Sequence, residues 1–520
     1  MDLKRRSRVL CILFPAILSS FSAAFSPLAY GQNFQVTQYK VLGNNLVSDE
    51  EVDSILAPFL GTHDGLDGLY EAKDTLENYF ASKGYSFYRA VLPNQTLKEG
   101  LVQFELVQFK VDQVTVEGNQ HFSDQNITRS IPLTIGQSPN THDLASVLTL
   151  ANENPSKSVK LNFTASDEPE SVAATIKVED ENPQSFYSQI NNTGTDDDTE
   201  YRLSLGYQNN NLFNLDHSLT LTFTTAPEDT QKVKQWGLNY RVPLYSVGAF
   251  LDLLVSDSTV DSGQVADNFE VQGKGSVVSL SFNKPLKSKG NYSHRWIAGI
   301  SQKEFDDDIL LLGNQIGQDI SSKPLSLRYQ GQWLKPSSHT SYYLAITGNI
   351  SGGEGNEDTD YAAKRIGADA GWSTLNLGFN FMYKFNAGSL VTLGLDAMIS
   401  DDALFSGEQF GLGGANSVRG YAERILLGDS GQKLTVEYWS APFSEQLLRW
   451  LLFADIGKVE RNEIQVGEAD STEISGYGMG LRWTYKKSAS LKLDLAQANE
   501  NFQVTSAGDS RVHLSFYFRF

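Results

Sequence analysis

The sequence is poor in cysteine, histidine and basic residues, and each shortage excludes a class of protein. Cys11 is the only cysteine in 520 residues, which excludes an intrachain disulfide and a cysteine-rich metal site. Lys and Arg together number 42 against 62 Asp and Glu, so the formal net charge is -20. Nucleic-acid binding requires a basic surface, and we therefore expect no nucleic-acid partner.

Catalytic motifs are missing as well. The seven histidines are dispersed, and the chain contains no His-x-x-x-His pair, no Gly-x-Ser-x-Gly turn and no phosphate-binding glycine loop. We expect a protein that is not an enzyme and that holds no cofactor and no metal ion. The acidic clusters Asp196–Asp198 and Asp306–Asp308 could attract divalent cations, but solvated loop charges are the simpler interpretation.

Long apolar runs are also absent beyond the N-terminus, which argues against a transmembrane helix. Residues 1–31 are typical of a secretory signal peptide, with four basic residues between positions 4 and 8 and an apolar core over 9–24. Cleavage is expected before Gln32. An exported chain without a membrane-spanning helix is either a soluble protein or a membrane β-barrel.

From residue 185 onward the sequence alternates apolar and polar residues, with no convincing helical segment. In Leu375–Lys384 the apolar and aromatic side chains occupy the odd positions, whereas Asn376 and Lys384 share the other face. We count sixteen such segments, the sixth beginning near Phe269, joined alternately by short turns and long acidic loops. Strands with one apolar face, in even number, predict a transmembrane β-barrel. A soluble β-sandwich would also alternate, but usually with shorter strands.

Residues 34–180 contain two copies of one unit, in which Gln38–Asn44 aligns with Gln113–Asn119. In the first copy Ser48 and Glu51 form the pattern of a helix capping box. Two strands close each unit, which gives the order β-α-α-β-β. The second helix of the first copy has an apolar face at Leu66, Leu69, Ala72, Leu76 and Phe80.

One glycine-rich stretch, Gly411–Tyr421 (GLGGANSVRGY), interrupts the alternating segments. Glycine permits tight turns, so the stretch predicts a folded loop that presents Arg419 at a defined place. A flexible surface loop with an incidental arginine is the alternative. Further along, Phe453, Asp455 and Gly457 share one face of a strand. An aspartate on the inner face of a strand can receive an arginine from a folded loop in a charge-assisted pair.

The two motifs together, Val418-Arg-Gly-Tyr421 and Phe453-x-Asp-x-Gly457, resemble the outer-membrane assembly and secretion superfamily. With the tandem units, the chain resembles the two-partner secretion transporters (TpsB, haemolysin secretion/activation proteins). The resemblance implies a β-rich fold, a 16-stranded transmembrane β-barrel over 185–520 preceded by two α+β POTRA domains over 34–109 and 110–181. It also implies that the loop, about 401–430, folds into the barrel lumen. There Arg419 would meet Asp455, within the motifs formed by Val418, Gly420, Tyr421, Phe453 and Gly457.

The resemblance further implies a translocator of the Gram-negative outer membrane, with its POTRA domains in the periplasm. Its partners would be an unfolded secreted exoprotein (TpsA-like), outer-membrane lipid and lipopolysaccharide, and the barrel assembly machinery. That machinery would recognise the aromatic face of the C-terminal strand at Phe516, Phe518 and Phe520. Two alternatives stay open here. An insertase for other barrel proteins usually carries more POTRA units, and a passive porin would not need the repeats.

Many members of that family carry an N-terminal helix that plugs the barrel. Here only Gln32 and Asn33 separate the predicted cleavage site from the first repeat at Phe34. A helix that crosses a membrane needs roughly 20 residues. We therefore expect no helical plug, and we expect the loop around Gly411–Tyr421 to be the main internal obstruction.

Overall fold

The computed structural model describes residues 33–195, 199–259, 262–266, 269–272, 274–306, 310–311, 314–315, 319–443, 447–464 and 466–520. The predicted signal peptide, 1–31, lies outside these residues. The described chain forms two compact units, one up to Glu181 and one from Asn182 onward. Within these ranges, no helix is both long enough and apolar enough to cross a membrane.

The first α+β domain packs two helices against a three-stranded sheet. Its elements are β1 (Asn33–Val36), β2 (Gln38–Leu42), α1 (Asp49–Leu56), a 3-10 turn (Ala57–Phe59), β3 (Gly61–Asp64), α2 (Asp67–Ser82), β4 (Tyr88–Val91) and β5 (Leu101–Gln108). β5 lies between β2 and β4, parallel to β2 and antiparallel to β4. The capping box of Ser48 and Glu51 is confirmed and begins α1. Leu66 is 47% exposed because it precedes the first turn of α2, whereas the other four predicted core residues of α2 are buried.

A second α+β unit repeats this arrangement. Its elements are β6 (Lys110–Glu117), α3 (Asp124–Ser130), α4 (Thr141–Ala151), β7 (Lys157–Ala165) and β8 (Ser171–Asp180). β8 lies between β6 and β7, parallel to β6 and antiparallel to β7. Side-chain oxygens of Ser123 and Asn140 cap the two helices, and Phe122, Ile127 and Ile176 lie in the core. The two units therefore share one topology.

A closed antiparallel barrel follows, and the predicted fold class is confirmed. β20 and β21 both pair with β17 and together form one wall strand, so the wall has sixteen strands. β31 closes the ring on β9, with Ser515 opposite Asn191. The wall strands are β9 (Gln184–Asn191), β10 (Arg202–Leu212), β11 (His217–Thr225), β12 (Lys234–Leu244), β13 (Ala249–Ser258), β16 (Gly275–Pro285), β17 (Tyr292–Phe305), β20 (Ile320–Ser322) with β21 (Pro324–Leu334), β22 (Ser338–Asn349), β23 (Ser373–Lys384), β24 (Leu390–Ile399), β27 (Ser430–Trp439), β28 (Arg449–Glu460), β29 (Ser471–Tyr485), β30 (Ala489–Ala498) and β31 (Ser510–Arg519). Short hairpins in the loops are β14 (Ser262–Ala266) with β15 (Phe269–Gln272), β18 (Leu310–Leu311) with β19 (Asn314–Gln315), and β25 (Phe410–Leu412) with β26 (Leu426–Gly428).

Two details of the barrel differ from the sequence-based expectation. Phe269 belongs to a hairpin outside the wall, and the sixth wall strand begins at Gly275. Alternation cannot separate the two cases, because a loop hairpin alternates as a wall strand does. A helix, α5 (Asp358–Lys364), also occurs in the loop between β22 and β23, where Glu357 and Asp360 form a capping box. It is too short to show helical periodicity in the sequence.

The barrel wall has an apolar outer face and a polar inner face. Leu205, Leu325 and Ile346 are 52%, 55% and 60% exposed on the outer face. Ser204 and Thr224 lie on the inner face of adjacent strands, with their hydroxyl oxygens 2.7 Å apart. An apolar outside and a polar lumen suit a strand wall surrounded by lipid.

Candidate functional site: a loop anchored inside the barrel

The long loop between β24 and β27 contains the glycine-rich stretch. β25 and β26 pair with each other as its stem, and residues 413–425 form its tip. Gly413, Gly414 and Gly420 adopt φ angles of 103°, 101° and 100°, a region that favours glycine. These glycines let the tip turn sharply and bring Arg419 against the inner wall.

Arg419 is held by Asp455 of β28 through a two-point fork. Its Nε donates to Asp455 Oδ2 over 2.7 Å, its Nη2 donates to Oδ1 over 2.9 Å, and its backbone N–H donates to Oδ2 over 3.2 Å. Arg419 is 4% exposed and Asp455 2%. The guanidinium carbon lies 3.5 Å from the ring centroid of Phe453. Fork and aromatic platform together fix the position and the plane of the guanidinium.

Two further acids adjoin Arg419, and neither belongs to the sequence motifs. Glu437 Oε1 of β27 accepts a hydrogen bond from Arg419 Nη1 over 2.9 Å, and Asp494 Oδ2 of β30 lies 3.6 Å from the same nitrogen. Asp494 is held in turn by Arg482 of β29, with distances of 2.6 and 2.8 Å. Each is the only acid in its strand, and that is the signal that could have identified them.

The backbone of the tip is anchored as well. The N–H of Gly420 donates to His513 Nε2 of β31 over 3.2 Å, which requires that this ring nitrogen carry no proton. The tip therefore contacts side chains of four wall strands, β27, β28, β30 and β31. Sequence motifs indicated only one of these strands.

Glycines on the wall make room for the tip. A Cβ atom at Gly476 of β29 would lie 2.1 Å from the carbonyl oxygen of Arg419, and one at Gly457 would lie 2.7 Å from the side chain of Leu412. A Cβ atom at Gly420 would lie 3.0 Å from the backbone nitrogen of Ala498. Gly457 and Gly420 were singled out from the sequence, whereas Gly476 was not. Glycine at every second position of the segment Gly476–Gly480 is the sequence pattern that indicates an inner face without side chains.

Val418 and Tyr421 fix the tip by apolar packing, and both are fully buried. The Tyr421 hydroxyl donates to the carbonyl oxygen of Glu500 over 3.0 Å, and the Glu500 N–H donates back to that hydroxyl over 3.0 Å. The apolar cluster around the two residues contains Leu412, Leu426, Val459, Ile474 and Ala498. All seven residues of the two motifs thus lie in or beside one buried site.

The outer end of the same loop is held by a second arginine–aspartate pair. Arg365, just after α5, donates to Asp429 Oδ2 over 2.9 Å, and Asp429 is fully buried. Asp429 also accepts hydrogen bonds from the backbone N–H groups of Leu404 (2.9 Å) and Asn462 (2.7 Å) and from the Gln409 side chain (2.9 Å). Three outer loops therefore meet at one carboxylate.

Aromatic packing reinforces this outer contact. Tyr361 of α5 is fully buried and packs edge-on against Phe405, with ring centroids 5.4 Å apart. Burial raises the pKa of Tyr361, so its hydroxyl stays protonated and donates to the Ser321 carbonyl over 2.9 Å. Lys303 of β17 pairs with Glu408 over 2.8 Å. The loop is thus fixed at both ends.

The three terminal phenylalanines lie elsewhere. Phe516, Phe518 and Phe520 are 38%, 40% and 69% exposed on the outer face of the barrel, and the Phe520 ring stacks on Phe186 of β9. His513 of the same strand points the other way, into the loop site. Across the described ranges, no three His, Cys, Asp or Glu side chains are grouped to hold a metal ion. Of the two acidic clusters singled out in the sequence, Asp196–Asp198 and the pair Asp307 and Asp308 lie outside those ranges.

Comparisons with known proteins agree with this architecture. The profile of the haemolysin secretion/activation protein ShlB/FhaC/HecB matches residues 172–483, and that of the ShlB-type POTRA domain matches residues 34–108. The first match spans more than half of the chain. It includes Arg419 and Asp455 and ends before β30 and β31.

Individual relatives are distant but cover most of the chain. The heme/hemopexin transporter protein HuxB of Haemophilus influenzae (strain 86-028NP) is 20% identical over 480 residues, which covers 90% of this chain and 84% of the relative. The outer membrane transporter CdiB of Dickeya dadantii (strain 3937) is 21% identical over 434 residues, 79% of this chain and 74% of that protein. The solved structure of CdiB from Escherichia coli matches with a TM-score of 0.75 at 17% identity, over 97% of this chain and 93% of that one.

These findings, together with the barrel and its internal loop, decide between the readings that the sequence left open. The family match excludes both alternatives, an insertase for other barrel proteins and a passive porin, and it excludes an enzyme as well. The chain belongs to the haemolysin secretion/activation protein family ShlB/FhaC/HecB: it is a two-partner secretion transporter of the outer membrane, a β-barrel with periplasmic POTRA domains that secretes a partner exoprotein.

Proposed function

We propose that the α+β units at 34–109 and 110–181 capture the unfolded exoprotein and that the barrel conducts it, with Arg419 and Asp455 holding the loop in a defined lumenal position. The observation that carries the proposal is the buried Arg419 fork. Taking the two charges out of water costs free energy that their pairing repays only in part, so stability alone does not explain the fork. Fixing the position of a long loop inside a conduit does explain it.

Capture has a physical basis in the free edges of the two sheets. In the described structure β4 pairs only with β5 and packs beside α2, while β7 pairs only with β8 and packs beside α4. An unpaired strand edge can accept an extended chain through backbone hydrogen bonds, which depend little on sequence. Such an edge suits a client that arrives unfolded.

The test of capture is deletion of residues 34–109 from the full chain. We expect secretion of the exoprotein into the medium to stop, while the heat-modifiable barrel remains in the membrane fraction. Retained secretion would contradict a capture role for the first unit. Loss of the barrel from the membrane would show that the unit serves biogenesis instead. A pull-down of the exoprotein by the isolated 32–181 segment provides the direct measurement, because these residues form a compact unit.

We further propose that the barrel assembly machinery recognises the outer aromatic face of β31, and that the apolar outer wall contacts lipid and lipopolysaccharide. The support is the position of Phe520, whose backbone N–H and carbonyl pair with those of Phe186. The last residue therefore sits on the strand that closes the ring. Deleting Phe520 should lower the amount of heat-modifiable barrel in the membrane, and an unchanged amount would contradict the proposal.

A further inference from the structure

Several basic side chains face the lumen close to the loop. Asp494 and His513 contact the loop tip, so they mark the inner faces of β30 and β31. Side chains two positions apart on a strand share a face. Lys492 and Arg511 therefore face the lumen, and so does Arg519 farther along β31.

The register of neighbouring strands places two further bases on the opposite side of the lumen. Lys433 donates to a backbone carbonyl of the loop tip and lies opposite Asp396. Asp396 lies opposite Gly378, and Gly378 opposite Tyr343. The guanidinium of Arg328 lies 3.7 Å from the ring centroid of Tyr343. Arg328 therefore faces the lumen, as does Lys384, which shares the inner face of β23 with Gly378.

Each acid on the inner face of the wall strands has a basic partner. The pairs are Asp252 with Arg241 (3.1 Å), Asp396 with Lys433 (3.1 Å), Asp455 and Glu437 with Arg419 (2.7 and 2.9 Å), and Asp494 with Arg482 (2.8 Å). Five acids thus share four bases, so all but one of the negative charges of the inner wall are neutralised locally.

Several bases of the inner wall, in contrast, have no acidic partner within the described ranges. Among the described residues, Arg328, Lys384, Lys492, Arg511 and Arg519 have no carboxylate within the 4.0 Å ion-pair distance. The buried Nε of Arg328 also has no hydrogen-bond partner in that part of the chain. The inner wall is thus net cationic, although the chain as a whole carries a net charge of -20. Most acids of the chain lie instead in the long loops and in the N-terminal α+β units.

We propose that the lumen is a cationic conduit that favours anions and, during transport, acidic stretches of the unfolded exoprotein. The second half of this statement rests on the proposed function, and the first half does not. Fixed charges in a channel with low-dielectric walls concentrate ions of opposite sign. The effect weakens with salt, because the screening length falls from about 10 Å at 0.1 M to about 3 Å at 1 M.

The test of the first half is the reversal potential of the purified full-length barrel in a planar bilayer under a KCl gradient at low salt. We expect chloride to be more permeant than potassium. The variant Arg328→Gln, Lys384→Gln, Lys492→Gln, Arg511→Gln should lose most of this preference. A matched variant with four exposed bases of the N-terminal domains changed to Gln (Lys40, Lys98, Lys110 and Lys160) should keep it.

Potassium preference in the native barrel, or an unchanged preference in the lumen variant, would overturn the proposal. If the anchored loop leaves too little current, a barrel lacking the tip 413–425 keeps all four bases and provides the same measurement. The preference should also shrink as the salt rises toward 1 M.

The second half is tested with short peptides added on the periplasmic side. Polyglutamate should block the current more strongly than polylysine, and the lumen variant should lose that difference. Equal block by both peptides would overturn the statement that the lumen favours acidic stretches of the exoprotein. Because these experiments use no exoprotein, their failure is separate from a failure of secretion, which is measured in cells carrying the same variants.

Discussion

The two ends of the long loop are held by the same chemistry in different surroundings. At the inner end Arg419 forks onto Asp455, and at the outer end Arg365 forks onto Asp429. Both aspartates are buried, with 2% and 0% of their surface exposed. The inner carboxylate serves only the loop, whereas the outer one also receives backbone N–H groups from Leu404 and from a neighbouring loop.

This difference separates two roles. The inner contact joins a loop to a wall, so its loss frees the loop but leaves the sheet hydrogen bonds intact. The outer contact joins three loops to one another, and its loss loosens the outer surface of the barrel. We infer that the inner pair determines the position of the loop and that the outer pair determines how tightly the outer end is closed.

The largest expected effect is that of Arg419→Ala, which leaves Asp455 buried without its partner. Removing one member of a buried pair costs roughly 3–5 kcal/mol, and each ~1.4 kcal/mol is a factor of ten in an equilibrium. We expect exoprotein in the medium to fall by about a hundredfold, with normal heat-modifiable barrel in the membrane. Asp455→Ala should behave alike. Arg461→Ala, in an outer loop, is the control. Normal secretion by both variants would remove the basis for an anchoring role.

Gly476→Ala tests the same anchor from the wall side. The added Cβ atom would lie 2.1 Å from the Arg419 carbonyl oxygen, which is backbone and cannot swing away. The tip must shift, so we expect secretion to fall clearly, though less than in Arg419→Ala, because the fork can still form after a displacement. Gly394→Ala is the matched control, since the nearest atom to its Cβ is a side-chain oxygen at 3.3 Å. Equal secretion by both glycine variants would show that the close approach is unimportant.

Arg365→Ala tests the outer contact, and its effect on secretion should be smaller. Buried Asp429 keeps its hydrogen bonds from Leu404, Gln409 and Asn462, so the carboxylate loses only some of its hydrogen-bond donors. We expect faster proteolysis of the outer loops and a higher bilayer conductance, with most of the secretion retained. Secretion as low as in Arg419→Ala would erase the distinction between the two ends of the loop.

Much of this architecture follows from the sequence, and the reason is periodicity. Wall strands alternate over many residues, so their number and faces are readable, and the repeated β-α-α-β-β order is visible in Gln38–Asn44 and Gln113–Asn119. The sequence prediction is wrong for the hairpin at Phe269, because a loop hairpin alternates as a wall strand does. It misses the short helix α5, because seven residues are too few to show helical periodicity. Arg419 and Asp455 were recognisable as a motif.

The rest of the site depends on register, which a sequence does not display. Glu437, Asp494 and His513 meet Arg419 or Gly420 only because β27, β30 and β31 are brought to the same height by strand pairing. The outer pair, Arg365 with Asp429, joins loops whose path no periodicity describes. Contacts of this kind arise from three-dimensional packing and could not have been predicted from local patterns.

The smallest expected effect distinguishes fork geometry from total charge within the inner site. Glu437→Gln and Asp455→Asn make the same chemical change, the loss of one negative charge with shape retained. Asp455 accepts three hydrogen bonds from Arg419. The side-chain amide of the asparagine variant would therefore turn its NH2 group, a donor, toward a cationic donor. Glu437 accepts one at Oε1 from Arg419 and two at Oε2, from Trp439 Nε1 over 2.8 Å and from the Thr392 hydroxyl over 3.4 Å. The amide oxygen of the glutamine variant can still serve Arg419.

We therefore expect Asp455→Asn to lower secretion nearly as much as Asp455→Ala. Glu437→Gln should leave secretion within about fivefold of the native level, since the net value of one such bond is about 1 kcal/mol. Both variants should insert equally, measured by heat-modifiable barrel in the membrane fraction. If Glu437→Gln were as damaging as Asp455→Asn, the balance of charge around Arg419, and not the two-point fork, would hold the loop in place.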